Sequence, residues 1–369
     1  MENTGTQMKL RKAYYSLFSL AILFMQSTVH ALDTIPDDIS AWTEQGIVLA
    51  TGSAGSWDDK ASTARPIGVH KKDGIYYLHY LAGFDGCWNA DDDVNHQSVG
   101  LATSTDGINF TKYAGNPVLK PHYFVSVNSH EEGIRTGAIR YMPHLGKWLA
   151  YLGVESPGGT DTCPFMGSTA DCGCNVPVDA SIFAATSTDG KNWTVEGMVN
   201  GVYNSQENYI DDFQYQNGQY YVWSHRAQGG QTHNVSKGPD FMNLTPMGEI
   251  PALCWGWSEM HTFLHDDGNS VTAIYDPHGG CAADDRNLYF ANTALNDLNN
   301  VSNERVVHSY GQKANFIYKD IDSGLWRWYY NVVSGPDAGT IQLRTHPISS
   351  AGAPPPGTRP SAPGSVTAQ

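Results

Sequence analysis

Residues 65 to 82 read RPIGVHKKDGIYYLHYLA, two runs rich in β-branched and aromatic residues on either side of Asp73-Gly74. Such a pair between such runs is the strongest short-range signal of a β-hairpin, because the tight turn needs residues that tolerate positive φ. The unit recurs four times: Leu145-Gly146 before KWLAYLG, Asn217-Gly218 before QYYVWS, Asp267-Gly268 before NSVTAIY and Ser323-Gly324 before LWRWYYNVV. The turn glycines lie 72, 72, 50 and 56 residues apart, and each turn follows another extended run: GAIRYM, DDFQYQ, EMHTFLH and KANFIY.

Downstream of the hairpins comes a third extended segment, such as VGLATS, SIFAATS, NLYFANT or TIQLRTH, and then a short fourth. No long segment has helical periodicity. Five four-stranded units of irregular period predict an all-β fold, a five-bladed β-propeller of four-stranded antiparallel blades with long loops in its early blades. A β-sandwich also has short strands and glycine turns, but it gives no reason for one aromatic hairpin to recur five times. A phrase shared by two units fits the same scheme: LATSTDGINF at 101–110 returns as AATSTDGKNW at 184–193. We read it as the turn between the third and outer strands of a blade, with Asp accepting backbone N–H groups, Gly supplying positive φ, and Phe110 or Trp193 packing back between blades.

The ends differ from this body. Lys9, Arg11 and Lys12 precede an apolar run from Tyr14 to Met25, and Val29-His30-Ala31 offers a small-residue cleavage site, so residues 1–31 read as a secretory signal peptide. An uncleaved membrane anchor is the alternative, although the run is short for a span. The propeller is expected over 32–348. Residues 349–369 turn to Pro, Gly, Ser and Ala, a stiff linker leading into what looks like the first strand of a truncated fibronectin type III module. Export also accounts for six cysteines (Cys87, Cys163, Cys172, Cys174, Cys254 and Cys281), an even number read as loop disulfides. A metal site at Cys172-Gly173-Cys174 is the lesser alternative, because no His sits beside it at ligand spacing. A formal net charge of −15 with 22 Lys plus Arg leaves no basic stripe for phosphates and excludes a nucleic-acid partner.

In a propeller the innermost strand of every blade lines the central depression, so chemistry belongs just upstream of each hairpin turn. That window holds Trp57-Asp58-Asp59 in blade one, His130-Glu131-Glu132 and Arg135 in blade two, and Glu207 and Asp211-Asp212 in blade three. Blade four has Trp257, Glu259 and His261; blade five has His308, Gln312 and Lys313. Loops carry acids for solubility too, and Asp91-Asp92-Asp93 reads as such a loop, with calcium a minor reading. Acids recurring in four successive blades of a chain with only 16% charged residues point further, to carboxylates converging on one depression. Glycosidic cleavage uses that arrangement: one protonated acid assists the leaving oxygen while an ionised one activates water or attacks the anomeric carbon. Trp57, Trp88, Trp255 and Trp257 are the candidates for stacking on sugar rings. No cofactor is required, and a structural calcium ion on the propeller axis is left open.

GSWDD followed by DGIYYLHYLAG and VGLATSTDGINFTKYAGNPVL resembles the first blade of the five-bladed propeller glycoside hydrolases, the superfamily of families 43, 32, 62, 68, 117 and 130. The likeness runs over roughly 40 to 348 and is strongest in blade one. It implies an Asp on blade one as base or nucleophile, an Asp on blade two tuning pKa, and an acid on blade three as proton donor. In this chain those roles fall to Asp58 or Asp59, of which strand alternation lets only one point inward, and to Asp211 or Asp212, with Asp where Glu is usual. On blade two the Arg-Asp-Pro pattern reads Arg135-Thr136-Gly137, so Glu131 or Glu132 must substitute. Glu259 and His261 on blade four enter as further acids, His261 as a proton donor or as a structural residue near the axis. Arg135, His308 and the tryptophans would bind sugar. The resulting expectation is a secreted or periplasmic glycoside hydrolase acting on a plant or algal poly- or oligosaccharide, with no membrane contact after signal cleavage and an open oligomeric state. Two alternatives stand beside it. One is a propeller that binds carbohydrate without cleaving it; the other is a sialidase-like enzyme, evoked by the S-T-D-G-x-N-W turn but lacking an evident arginine triad.

Overall fold

The structure, a computed structural model, describes residues 35–36, 38–53, 55–59, 64–83, 97–124, 133–157, 178–202, 208–226, 233–250, 260–275, 287–309, 312–332 and 335–348. The expected signal peptide and the expected linker after 348, the six cysteines and Asp91-Asp92-Asp93 lie outside them.

Twenty strands form five four-stranded antiparallel sheets, with two single 3₁₀ turns the only helical elements among the described residues. β1 is Thr43–Leu49. Blade one is β2 (Arg65–Lys72), β3 (Ile75–Ala82), β4 (Ser98–Ser104) and β5 (Thr111–Lys112). Blade two is β6 (Gly133–Met142), β7 (Lys147–Pro157), β8 (Val178–Ser187) and β9 (Thr194–Met198). Blade three is β10 (Asn208–Gln216), β11 (Gln219–Arg226), β12 (His233–Asp240) and β13 (Asn243–Ile250). Blade four is β14 (Met260–Leu264), β15 (Ser270–Tyr275), β16 (Asn287–Ala294) and β17 (Asp297–Ser309). Blade five has β18 (Gln312–Asp320), β19 (Leu325–Val332) and β20 (Ile341–Pro347) in chain order. Its fourth strand is β1, from the other end of the chain, paired antiparallel to β20 from Thr43↔Thr345 to Leu49↔Ile341. The expected short strand after TIQLRTH is thus replaced by a strand nearly 300 residues away, and the ring is closed by backbone hydrogen bonds.

The expected hairpins are present. Lys72 pairs with Ile75 around a two-residue turn in which Asp73 and Gly74 both have positive φ, 52° and 80°, and Asn217-Gly218 repeats this in blade three. Five apolar cores fill the gaps between successive blades. Leu101 and Leu81 meet Trp148 and Leu152 between blades one and two; Tyr151 and Leu149 meet Phe213 and Val222 between two and three. Trp223 meets Tyr275 and Met260 between three and four, Phe290 meets Trp328 between four and five, and Tyr329 meets Leu78 and Tyr80 between five and one. Strand alternation makes this possible: successive side chains leave opposite faces of a blade, so each sheet feeds two cores. Close to the axis Gly68 lets blades one and two approach, since a Cβ there would lie 2.2 Å from the Ile139 carbonyl oxygen.

The repeated phrase forms the turns β4–β5 and β8–β9. Asp106 Oδ1 accepts the backbone N–H groups of Ile108 and Asn109, both at 2.8 Å, and Asp189 does the same for Lys191 and Asn192. Phe110 then packs on Tyr329 of blade five, and Trp193 of blade two on His79 of blade one. The Asn109 and Ile108 bonds hold Asp106 well below the usual carboxyl range; burial alone would raise Asp189, but its Asn192 and Lys191 bonds outweigh that and lower it as well. Because the folded values lie below those of the unfolded chain, this stabilisation is complete above about pH 4 and is lost as pH falls through the folded values. The melting temperature is therefore expected to drop between about pH 4 and pH 2, and a double Asp106→Ala, Asp189→Ala variant, less stable at neutral pH, to show a shallower drop in the same thermal melts.

Candidate active site

The amino-terminal ends of the five inner strands converge on one pocket, walled by residues 65–67, 135–138, 210–212, 260–261 and 315–316. Four of these strands carry a β-bulge close to that end. The registers break at Pro66/Gly68, Ile134/Thr136, Ile210/Asp212 and Lys313/Asn315, leaving Ile67, Arg135, Asp211 and Ala314 as the extra residues. A bulge interrupts the two-residue alternation and re-aims a side chain. In β10 its consequence is chemical: Asp211 and Asp212, adjacent in sequence, both line the pocket, where a regular strand would send one to each face.

The two carboxylates have different surroundings. Asp212, 1% exposed, accepts bonds on every side: Arg140 Nε and Nη2 at 3.2 and 2.7 Å, Thr262 N and Oγ1 at 2.7 and 2.9 Å, and the Phe213 N–H at 2.7 Å. His261 Nδ1 adds a contact at 2.8 Å. Burial would raise its carboxyl, but Arg140 and His261 outweigh this and hold it well below the usual range. Asp212 thereby ties blade three to blades two and four and stays ionised. Asp211 is held by two imidazoles of its own blade, His225 Nδ1 at 2.5 Å on Oδ1 and His233 Nδ1 at 3.0 Å on Oδ2. Burial opposes ionisation here too, and the two histidines prevail and lower it.

His261 packs its ring on Phe316 at 4.3 Å, and desolvation keeps it mainly neutral against the pull of Asp212. Its buried Nε2 makes no hydrogen bond of good geometry, though the Ile317 backbone lies near enough to favour protonation. Beneath it, burial and then Arg140 push His70 down to about 3, so this imidazole is neutral.

Blade one differs from expectation. Asp58 is buried but away from the pocket wall, with Oδ2 accepting from Lys112 Nζ at 2.6 Å on the outermost strand and from the Tyr80 hydroxyl at 3.2 Å. Asp59 caps a turn through the Gly55 N–H at 2.6 Å, and Trp57 packs on Tyr80 in the core between blades five and one. The pocket wall from blade one is instead Arg65-Pro66-Ile67, and Arg65 Nη2 donates to the carbonyl of Arg135 at 2.7 Å. The pocket thus brings together Arg135, Asp211, Asp212 and His261 of the expected residues, and leaves out Trp57, Asp58 and Asp59. Trp88, Glu131, Glu132, Trp255, Trp257, Glu259 and the His308 side chain lie outside the described residues. Arg65, Arg140, His225 and His233 were not anticipated. Arg65 had a signal, standing at the head of an inner strand as Arg135 nearly does; His225 and His233 had a weaker one, standing eight residues apart near the facing ends of two consecutive strands.

No family model matches the chain, and no curated protein sequence does. Solved structures do. A glycosyl hydrolase from Bacteroides ovatus superposes with a TM-score of 0.54 at 13% identity, over 86% of this chain and 96% of that one. An N-acetylgalactosamine deacetylase from F. plautii, solved with blood group B trisaccharide, gives 0.57 at 11% identity, over 84% and 95%. A family 117 glycoside hydrolase from the marine bacterium Zobellia galactanivorans gives 0.53 at 12% identity, over 85% and 93%. The fold is shared with these enzymes. At such identity it is the arrangement of blades that is common, and the chemistry of this five-bladed propeller has to come from its own pocket.

Proposed function

We propose that the protein is a glycoside hydrolase whose carbohydrate substrate enters the pocket on the propeller axis. The observation that carries this reading is the β10 bulge, which places two ionised carboxylates side by side where all five blades meet. Hydrolysis of a glycosidic bond needs an ionised group working on water or on the anomeric carbon, and a protonated acid at the leaving oxygen. Asp212 is saturated with donors, which leaves Asp211 as the ionised group nearer the chemistry and Asp212 as its fixed neighbour. Neither is suited to give up a proton at neutral pH. The acid in this reading is Glu259, Glu131 or Glu132, which immediately precede inner strands in the sequence. Arg65 and Arg135 offer guanidinium donors to sugar hydroxyls. Residues 1–31 are taken as an export signal, which makes the enzyme secreted or periplasmic.

Incubation with a panel of plant and algal glycans, followed by product analysis, tests the reading. Asp211→Asn is expected to lower turnover by about 10²–10⁴-fold with its circular dichroism spectrum intact. Full turnover in that variant would place the reaction elsewhere. The second reading, a propeller that binds carbohydrate without cleaving it, is favoured by the engagement of Asp58 with Lys112 instead of the pocket. It requires saturable glycan binding with no product from any member of the panel.

A further inference from the structure

The histidines around Asp211 do more than a structural carboxylate needs. Asp211 comes from β10, His225 from the end of β11 and His233 from the start of β12, three adjacent strands of one sheet. His225 and His233 are directly paired across β11 and β12, so their side chains share a face, and their ring centroids are 5.8 Å apart. The bulge presents Asp211 to that pair. Each has one candidate ligand atom, all of them within 4.8 Å of one another, and all three residues are buried.

We infer that Asp211, His225 and His233 form a binding site for one divalent transition-metal ion, zinc above all, at the wall of the axial pocket. Two imidazole nitrogens and one carboxylate oxygen are the donor set of a zinc centre with three protein ligands, which keeps its fourth position for water or a substrate group. Zinc–nitrogen and zinc–oxygen bonds of about 2.0–2.2 Å around a tetrahedral ion separate neighbouring ligand atoms by roughly 3.3 Å. The Nδ1 atoms stand 2.5 Å from one Asp211 oxygen and 3.0 Å from the other, and the three ligand atoms lie within 4.8 Å of one another, so side-chain shifts of about 1–1.5 Å bring them to that spacing. Calcium and magnesium fit less well, since both select all-oxygen shells. Asp211 itself lines the pocket, with His225 and His233 behind it, which puts the site beside the place where substrate would enter. With the ion bound, both Nδ1 atoms carry no proton, and affinity falls as acid protonates them.

This site was hidden in the sequence. These histidines lie eight residues apart on two strands and meet the aspartate only through sheet pairing.

The experiment is titration of the full chain, stripped with EDTA and dialysed, with zinc chloride in a calorimeter, with bound metal counted by mass spectrometry. One zinc per chain is expected in the wild type, with a higher melting temperature, and affinity lowered by about tenfold or more in both His225→Ala and His233→Ala. No zinc binding in the wild type, or unchanged binding in both variants, overturns the inference. Because these variants could fold poorly, cobalt(II) is loaded into the wild type as well. Tetrahedral visible bands without intense sulfur charge-transfer absorption identify nitrogen and oxygen ligands, and strong sulfur bands would assign the metal to the cysteines and overturn the site. The outcome is separable from the glycosidase reading: zinc bound here with no glycan cleaved overturns only that reading, and glycan cleavage by a chain that binds no zinc overturns only this one.

Discussion

A chain lacking β1, truncated so that it begins after Leu49, is expected to lose its cooperative thermal transition and to aggregate. β1 supplies the fourth strand of blade five and, among the described strands, is the one that joins the start of the chain to its end around the ring. Val48 and Leu49 enter the core between blades five and one, and Trp42, just before the strand, packs edge-on to Trp328 at 5.3 Å with its Nε1 bonded to the Pro36 carbonyl. Burying a Val or Leu contributes about 1.5–3 kcal/mol, and removing a buried Trp costs about 3–5 kcal/mol. The total, of order 10 kcal/mol, is comparable with the whole net stability of a typical domain. The cut also leaves β20 as an unpaired edge, a template for association with other chains. Circular dichroism melts and light scattering test this. A truncated chain that melts cooperatively within a few degrees of the full one would mean that blade five holds with three strands and that closure adds little.

The same strand shows where sequence reading stops. The hairpins were legible because each is local: Asp73-Gly74 and Asn217-Gly218 are turn sequences, and the aromatic arms lie within ten residues of them. β1 has no such mark. It reads TEQGIVL, its first three residues are exposed, and its partner is a strand at the far end of the chain. The blade count could be had from repetition, but the origin of the last strand depends on ring geometry. The site divides in the same way. Asp211, Asp212 and His261, which line the pocket, are legible because polar residues in an apolar inner-strand pattern are conspicuous. That Asp58 turns from the pocket to Lys112 is not legible, because Lys112 lies 54 residues on and no pattern ties such an acid to an outer-strand lysine. Strand alternation, applied to Asp211 and Asp212, allows only one in the pocket; the bulge overrides it, and a bulge leaves no fixed residue signature in a strand without glycine.

Asp212→Ala is expected to destabilise the protein by about 3–5 kcal/mol, the cost of breaking one side of a buried ion pair. The carboxylate answers donors from three blades at once, so its loss leaves the largely buried Arg140 guanidinium, among the described residues, with the Thr262 carbonyl at 3.2 Å as its remaining hydrogen-bond acceptor. It also strips the Thr262 and Phe213 N–H groups of their acceptor. Removing the charge from both sides should behave differently. Arg140 lies against the rings of Phe213 and Phe316, at 5.8 and 5.5 Å, so a methionine at 140 keeps the apolar contacts of the long side chain. Denaturant melts of Asp212→Ala, Arg140→Met and the double variant form a cycle in which the double is expected to be more stable than the sum of the singles, by about 1–3 kcal/mol. If the three free energies simply add, Asp212 and Arg140 are not coupled, and the rigidity of the pocket floor must come from packing between the blades. If they couple as expected, the ion pair sets the position of the bulge, and with it the aim of Asp211. Under the proposed function, glycan turnover in the double variant would then fall although its stability is largely restored, because the carboxylate proposed to meet the substrate has lost the neighbour that fixes it.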